Sequence, residues 1–336
     1  MTLPVVALFN SKGGVGKTLL VYHLAWMYAE LGVRVLAVDL DPQANLTTAF
    51  IEEDDLIALW PDEGHGPTVY GSIRPLLRGI GDVAAAPLIA LDDQLALLPG
   101  DLALSQFEDE FSNQWLDCLE GKERAFRVIS AFHRLIADGI RRCRADIALV
   151  DVGSNLGAIN RAALVAATHV VVPLAPDLFS LQGLRNLGPT LRRWRGEWQA
   201  RLPHNLDAEL ELPAGRMSPI GYVLQQHGVR RGQPVVAYRR WMQRIPPVYR
   251  KDVLDEGGEA PPIDDDPNCL AQLKHYRSLA PMALDARKPV FALKPADGAF
   301  GGHQKAVQHA HRDFAELATT IAERVGTNLR AASASA

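Results

Sequence analysis

This chain predicts an α/β fold with a doubly wound, mainly parallel sheet and helices on both faces. Two observations point to it. An apolar run over residues 4–9 leads into a glycine-rich loop and then a helical pattern over 19–31. Two further apolar runs, 33–38 and 147–150, each close on an aspartate, Asp39 and Asp151. In open α/β sheets, ligands sit at the carboxyl ends of strands, so these aspartates and the loop should meet at one edge.

The loop is Lys12-Gly13-Gly14-Val15-Gly16-Lys17-Thr18. Strand, glycine loop and helix form the context that a phosphate-binding loop requires. Its glycines let backbone N–H groups turn inward around an anion without obstruction from Cβ. The helix starting at its end adds the positive end of its dipole. Lys17 supplies a full charge to the outer phosphates, and Thr18 a hydroxyl for Mg²⁺.

Bulk properties narrow the field. The 336 residues carry 48% hydrophobic side chains and a net charge of -4, enough for a sizeable core and not a polycation. No apolar run approaches the ~20 residues needed to span a bilayer, and no signal peptide is expected. Cys118, Cys143 and Cys269 are far apart with no C-x-x-C pair, which points to a reducing, cytoplasmic setting and away from a cysteine-bound metal. Charge is uneven: residues 185–251 hold thirteen Lys and Arg against four Asp and Glu. Such an excess fits either a polyanionic partner or a solvated charged face.

In chain order, residues 51–66 read as an acidic surface excursion. Residues 68–78 read as an amphipathic helix with Val69, Ile73, Leu76 and Leu77 inward. A strand is expected at 95–98 and a helix at 101–115. Residues 123–144 carry one helix pattern with Phe126, Ile129, Phe132, Ile136 and Ile140 as core. A strand at 169–173 precedes a long helix in which Trp194 and Trp198 read as packing residues. Residues 200–215 look like an insertion, 218–224 like a strand, and 304–325 like a last helix with Val307, Phe314, Leu317 and Ile321 on one stripe. Residues 227–267 hold a basic helix-like stretch, Pro246-Pro247 and an acidic Pro/Gly run. The expectation is one domain over 1–330 with insertions near 51–66, 200–215 and 227–267, and a frayed tail at 331–336.

The loop departs from G-x-x-x-x-G-K-[ST] in one way: Ser11 replaces the first Gly, and Lys12 stands beside it. This pattern resembles the deviant Walker A motif of the ParA/MinD group of ATPases, a branch of the P-loop NTPases. Asp39-Leu40-Asp41-Pro42-Gln43 resembles the D-x-D-P-Q motif of that group, with Ala44 where a Gly is usual. Residues 147–151 resemble a Walker B strand; Gly153 and Ser154 stand where the group has prolines. The run V-V-V-P-L-A-P-D over 170–177 resembles the strand after it. Residues 279–290 resemble the segment ending in G-K-P-V, with Arg287 in place of the glycine.

The resemblance implies roles. Gly13, Gly14, Val15, Gly16, Lys17, Thr18 and Leu19 would hold ATP. Thr18, Asp39 and Asp151 would serve the Mg²⁺ shell. Lys17 would neutralise phosphate, Asp41 would position the attacking water, and Lys12 would reach a partner subunit's nucleotide. Gly153, and Asn155 beside it, would sense the γ-phosphate. The implied function is a slow ATPase that forms a homodimer on ATP and binds DNA without sequence choice for partition or cargo positioning. Candidate DNA contacts are Arg192, Arg193, Arg230, Arg231, Arg239 and Arg240. A protein partner that stimulates hydrolysis is expected, and membrane binding is not, because the last helix lacks a basic amphipathic face. The alternative is a nucleotide-gated module that docks a dedicated protein through 227–267.

Overall fold

The computed structural model describes residues 3–61, 64–227, 229–230, 233–234, 236–274, 276, 278–327 and 329, with the backbone alone over 226–237. The tail at 331–336 and Arg231 lie outside the described residues.

The strands are β1 (Val5–Leu8), β2 (Val35–Asp39), β3 (Ile89–Asp92), β4 (Leu95–Leu98), β5 (Ile147–Asp151), β6 (His169–Leu174), β7 (Ser218–His227), β8 (Val229–Arg230), β9 (Gln233–Pro234) and β10 (Cys269–Lys274). Eight form one sheet in the order β10-β7-β6-β1-β5-β2-β4-β3, while β8 and β9 pair separately. Every neighbour in the large sheet is parallel except β3 with β4.

The helices are α1 (Lys17–Glu30), α2 (Asn45–Phe50), α3 (Glu53–Leu59), α4 (Val69–Arg78), α5 (Glu108–Asp117), α6 (Glu123–Ile129), α7 (Ala131–Cys143), α8 (Ala158–Ala166), α9 (Leu178–Arg201), α10 (Val236–Met242), α11 (Ile245–Val248), α12 (Ala280–Ala286) and α13 (Gly302–Val325). They cover both faces because strand side chains alternate. Val5, Ala7 and Phe9 enter one core with α4 to α9, while Val6 and Leu8 enter the other with α1 and α13. Strands buried on both faces read as continuous apolar runs, which is why β1, β2 and β5 were visible in the sequence.

One expectation, the single helix over 123–144, is corrected, and the structure adds to the reading elsewhere. The 51–66 stretch contains a helix, α3, whose first turn is Glu53, Asp54 and Asp55; acidic groups there favour the dipole. The single helix over 123–144 breaks at Ser130 into α6 and α7. Strands β3 and β10, the two edges of the sheet, are additions to the sequence reading; edge strands are half-exposed and lack a strong apolar run. Within 227–267, the residues 245–253 pack on the body. Ile245, Tyr249 and Val253 are buried against α9, where a Cβ on Gly188 would lie 1.8 Å from the Asp252 carbonyl oxygen.

The two places where a glycine of the resembling family is replaced keep glycine-like backbone. Ala44 has φ 50° and Arg287 φ 48°. A left-handed conformation costs an L-residue roughly 1–2 kcal/mol. Arg287 recovers part of this by donating from Nη1 to the Ile51 carbonyl at 2.7 Å.

Candidate active site

The carboxyl ends of β1, β5 and β2 place the loop and the aspartates together. Asp39 and Asp151 are register partners across β2 and β5, and Leu8 partners Asp151 across β1 and β5. Gly14 and Gly16 sit at φ 71° and 78°, conformations that let the loop curl before α1 starts at Lys17. The Gln225 amide donates to the Gly16 carbonyl at 3.2 Å, and its Oε1 would lie 2.6 Å from a Cβ on Gly16. The Gln225 tip can move, so it is the left-handed φ of 78° that favours glycine there.

Lys17 is buried, at 8% exposure. Burial lowers its pKa, and the negative charges of Asp151 and Asp41 counter the shift. Asp151 is completely buried and neither of its oxygens has a hydrogen-bond partner among the described residues. Burial and the neighbouring Asp39 raise its pKa; the Thr18 hydroxyl and Lys17 oppose them. An unpartnered buried carboxylate beside a threonine hydroxyl fits a divalent cation with its water shell. Mg²⁺ uses one or two protein groups plus phosphates rather than a protein cage.

Asp39 is placed differently from Asp151. Its Oδ2 accepts from the Thr47 amide at 2.8 Å and the Thr47 hydroxyl at 2.7 Å, and its Oδ1 from the Asp41 amide at 3.2 Å. Burial raises its pKa and the Thr47 bonds oppose the rise. Both oxygens are thus engaged in shaping the Asp41 turn and the start of α2. Asp41 is half-buried, with Oδ1 accepting from the Gln43 amide at 3.0 Å. Gly153 faces it: a Cβ at Gly153 would lie 3.4 Å from Asp41 Oδ1 and 3.3 Å from Asn160 Nδ2.

Lys12 forms an ion pair with Asp177 of its own chain and lies 5.8 Å from the centre of the Phe179 ring. Burial would raise the Asp177 carboxyl, but Lys12 and the Ser180 amide outweigh it and hold it below its ordinary range. Asp177 also caps α9 by accepting from Ser180 N at 2.8 Å. Leu178 and Phe179 beside it are exposed, at 53% and 71%. Asn10 fixes the loop's entry, donating to the Pro173 carbonyl at 2.7 Å and accepting from the Lys12 amide at 2.9 Å.

A cavity of about 610 Å³ opens beside Thr18 and Leu19, walled mainly by apolar groups that include Tyr22, Leu273, Tyr276 and Phe314. His23 is among its lining residues and is buried, at 2% exposure. Nδ1 bonds the Leu19 carbonyl at 2.7 Å, Nε2 accepts from the Val290 amide at 3.1 Å, and burial lowers its pKa to about 4.

The six candidate arginines do not share one environment. Arg192 donates to the carbonyls of Asp252 and Val253 at 3.0 and 3.1 Å. Arg193 is exposed and 3.9 Å from Glu197. Arg239 and Arg240 are exposed on α10, Arg230 lies in β8, and Arg231 lies outside the described residues. Sequence reasoning missed Asn10, Thr47, Asn160, Asp177 and Gln225 as parts of the site. Asp177 and Asn10 adjoin motifs that were visible; the others carry no local signal.

A family model for an AAA domain, AAA_31, matches residues 3–203. The chromosome partitioning protein ParA of Caulobacter vibrioides is 31% identical over 201 residues, covering 60% of this chain and 66% of that protein. Against the first curated relatives it matches, the chain spans between 42% and 66% of their length. Among solved structures, protein DIP2308 of Corynebacterium diphtheriae has a TM-score of 0.71 at 24% identity, covering 96% of this chain and 99% of that one. The cobyrinic acid a,c-diamide synthase of Mycobacterium smegmatis, solved with ADP and magnesium, has a TM-score of 0.50 at 26% identity, covering 78% and 86%.

Proposed function

The chain belongs to the AAA-domain family, in its ParA/MinD branch of P-loop ATPases, and from that premise we propose that it is a Mg²⁺-dependent ATPase acting as a dimerisation switch. The observation that carries this reading is one arrangement: Lys17, Asp41 and Asp151 gather under a single glycine loop whose rim carries Lys12.

Phosphoryl transfer asks a protein mainly to position groups and neutralise charge. ATP is the substrate, its phosphates within the loop and its base in the cavity beside Leu19. Lys17 and the loop amides neutralise the phosphates. Thr18 and Asp151 would hold magnesium, which would supply further charge neutralisation. Asp41 orients a water for attack on the γ-phosphorus, and the bond to the ADP oxygen breaks. Lys12 is the remaining cation. While Asp177 holds it in cis, a lone subunit hydrolyses slowly; when two subunits close, Lys12 trades Asp177 for the neighbour's phosphates. Hydrolysis then releases the pair.

The output is DNA partition or cargo positioning through sequence-independent phosphate contacts. With Arg192 engaged by carbonyls, these contacts fall to Arg193, Arg239 and Arg240, with Arg230 and Arg231 in the adjoining stretch. A cytoplasmic protein partner would stimulate hydrolysis. The relative named for chromosome partitioning supports this assignment.

Two assays test it. Asp41→Ala should accumulate an ATP-bound dimer by size exclusion; undiminished turnover in that variant removes Asp41 from the chemistry. DNA retention with a non-hydrolysable ATP analogue should exceed that with ADP and fall steeply between 50 and 200 mM salt. If ATP-loaded protein holds no DNA even at low salt, the basic residues serve some other contact, and a protein partner docking through 227–267 becomes the better reading.

A further inference from the structure

The cavity beside Leu19 measures about 610 Å³, within the ~300–1,000 Å³ that takes a whole drug-sized molecule. A purine base alone fills a minor part of that space. Its apolar wall includes Leu19 on α1, Leu273 on β10, Ala283 on α12 and Phe314 on α13. The Phe314 ring lies nearly flat on His23, with centroids 4.7 Å apart and planes 14° from parallel.

The polar side chains on this wall are committed elsewhere. The Tyr22 hydroxyl donates to the Arg287 carbonyl at 3.3 Å, and the Tyr276 hydroxyl to Asp313. His23 spends both ring nitrogens on backbone groups, and Gln225 turns its amide to the Gly16 carbonyl. The Thr48 hydroxyl donates to the Asn45 carbonyl at 3.0 Å. Arg287 donates to the Ile51 carbonyl, and Lys288 Nζ pairs with both oxygens of Asp297 at 2.8 and 3.0 Å. Thr18 bonds Asp151. Among the described residues, that leaves Lys274 as the lining polar side chain with no such bond, and it is exposed. Such a side chain lays its apolar stem on the wall and keeps its ammonium in water.

A site that hydrogen-bonds one group of a ligand rejects the analogue lacking it by about 10⁴–10⁵, whereas an apolar pocket discriminates far less. It does still penalise polar groups that enter without partners. Guanine brings an exocyclic oxygen, a ring N–H and an amine; adenine brings one amine.

We propose that this cavity selects adenine by apolar burial rather than by reading its amine, and that it accepts adenine nucleotides enlarged by an apolar group on the base. The inference rests on the ATPase reading above, with the base in this cavity. Guanine is disfavoured by the cost of burying its extra polar groups. The volume beyond the base is lined by Leu273, Ala283 and Phe314, so an apolar substituent there leaves water for hydrocarbon.

The test uses the full chain with Mg²⁺ and a ribose-labelled fluorescent ATP analogue, displaced by four competitors. Purine riboside triphosphate, which lacks the exocyclic amine, should bind within about threefold of ATP. ATP carrying a benzyl group on that amine should bind as tightly as ATP or up to about tenfold tighter. GTP should bind at least about tenfold more weakly. The proposal is overturned if loss of the amine or addition of the benzyl group weakens binding by more than about tenfold, or if GTP equals ATP. Ala283→Phe, checked by thermal melting, narrows the cavity and should weaken the benzyl analogue at least about tenfold more than ATP; an unchanged ratio in the folded variant also overturns the proposal. The competitor series on wild type decides the matter if that variant does not fold. ATP binding that is absent, or that Lys17→Ala leaves intact, would defeat the ATPase reading itself and this inference with it.

Discussion

The carboxyl end of β1, β5 and β2 and the far side of α9 both carry charged side chains but use them in opposite ways. At the strand ends, charges are buried and under-satisfied: among the described residues Asp151 has no hydrogen-bond partner, and Lys17 is desolvated. On the far side, Arg192 and Arg195 spend their guanidinium groups on backbone carbonyls of Asp252, Val253, Arg216 and Met217. One region stores polar groups for an incoming polyanion; the other consumes them to hold the chain together. Counting charges along the sequence cannot separate these uses. The thirteen cations between 185 and 251 fit either a polyanionic partner or a solvated face, yet part of that set is structural.

This contrast can be broken experimentally, and the largest effect should come from the strand ends. Lys17→Ala should cost about 3–4 kcal/mol of ATP affinity, the range for removing one partner of a desolvated charge contact. Isothermal titration would read it, and the melting temperature without nucleotide should not fall, because a buried cation has been removed rather than a packing group. A loss of stability in place of affinity would put Lys17 with the structural cations.

Next comes pH. His23 needs a neutral ring, because Nε2 accepts from the Val290 amide. Its folded pKa is lowered from 6.5 to about 4 by burial, so the unfolded chain takes up the proton first. The contribution is complete above about pH 6.5 and disappears as pH falls toward 4, about 3 kcal/mol in all. Urea midpoints at several pH values should fall more steeply for wild type than for His23→Gln between these limits; parallel curves would count against it.

On the far side, Gly188→Ala should destabilise by about 1–3 kcal/mol through overpacking, since the new methyl would meet the Asp252 backbone. ATP affinity should stay unchanged, and a matching drop in affinity would show that the two regions are not independent. The smallest effect belongs to Asp177→Asn. The Lys12 pair is partly exposed, with side chains at 26% and 36%, so its loss is worth no more than about 1 kcal/mol. Sedimentation with a non-hydrolysable analogue should show dimerisation tightened by at most about fivefold. Weakened dimerisation would instead make Asp177 part of the closed interface.

The loop, Asp39, Asp41 and Asp151 were legible because each sits in a run of consecutive residues whose chemistry depends on spacing. Strands β1, β2 and β5 were legible for a related reason: burial on both faces leaves an unbroken apolar signature. Asn160 and Gln225 were not, because an isolated amide in a helix or strand has no pattern until folding brings it to Gly153 or Gly16. The break at Ser130 was hidden because the apolar period continues through it.

By itself, then, the amino-acid order determined the phosphate loop, its carboxylates and the α/β architecture, since those follow from local backbone freedom and periodic burial. Only the tertiary structure decided that Asp39 is engaged by Thr47 while Asp151 stays unpartnered, that Lys12 rests on Asp177, and that Arg192 closes on carbonyls sixty residues away. Those outcomes depend on which polar groups lose water together, and that is set by long-range packing.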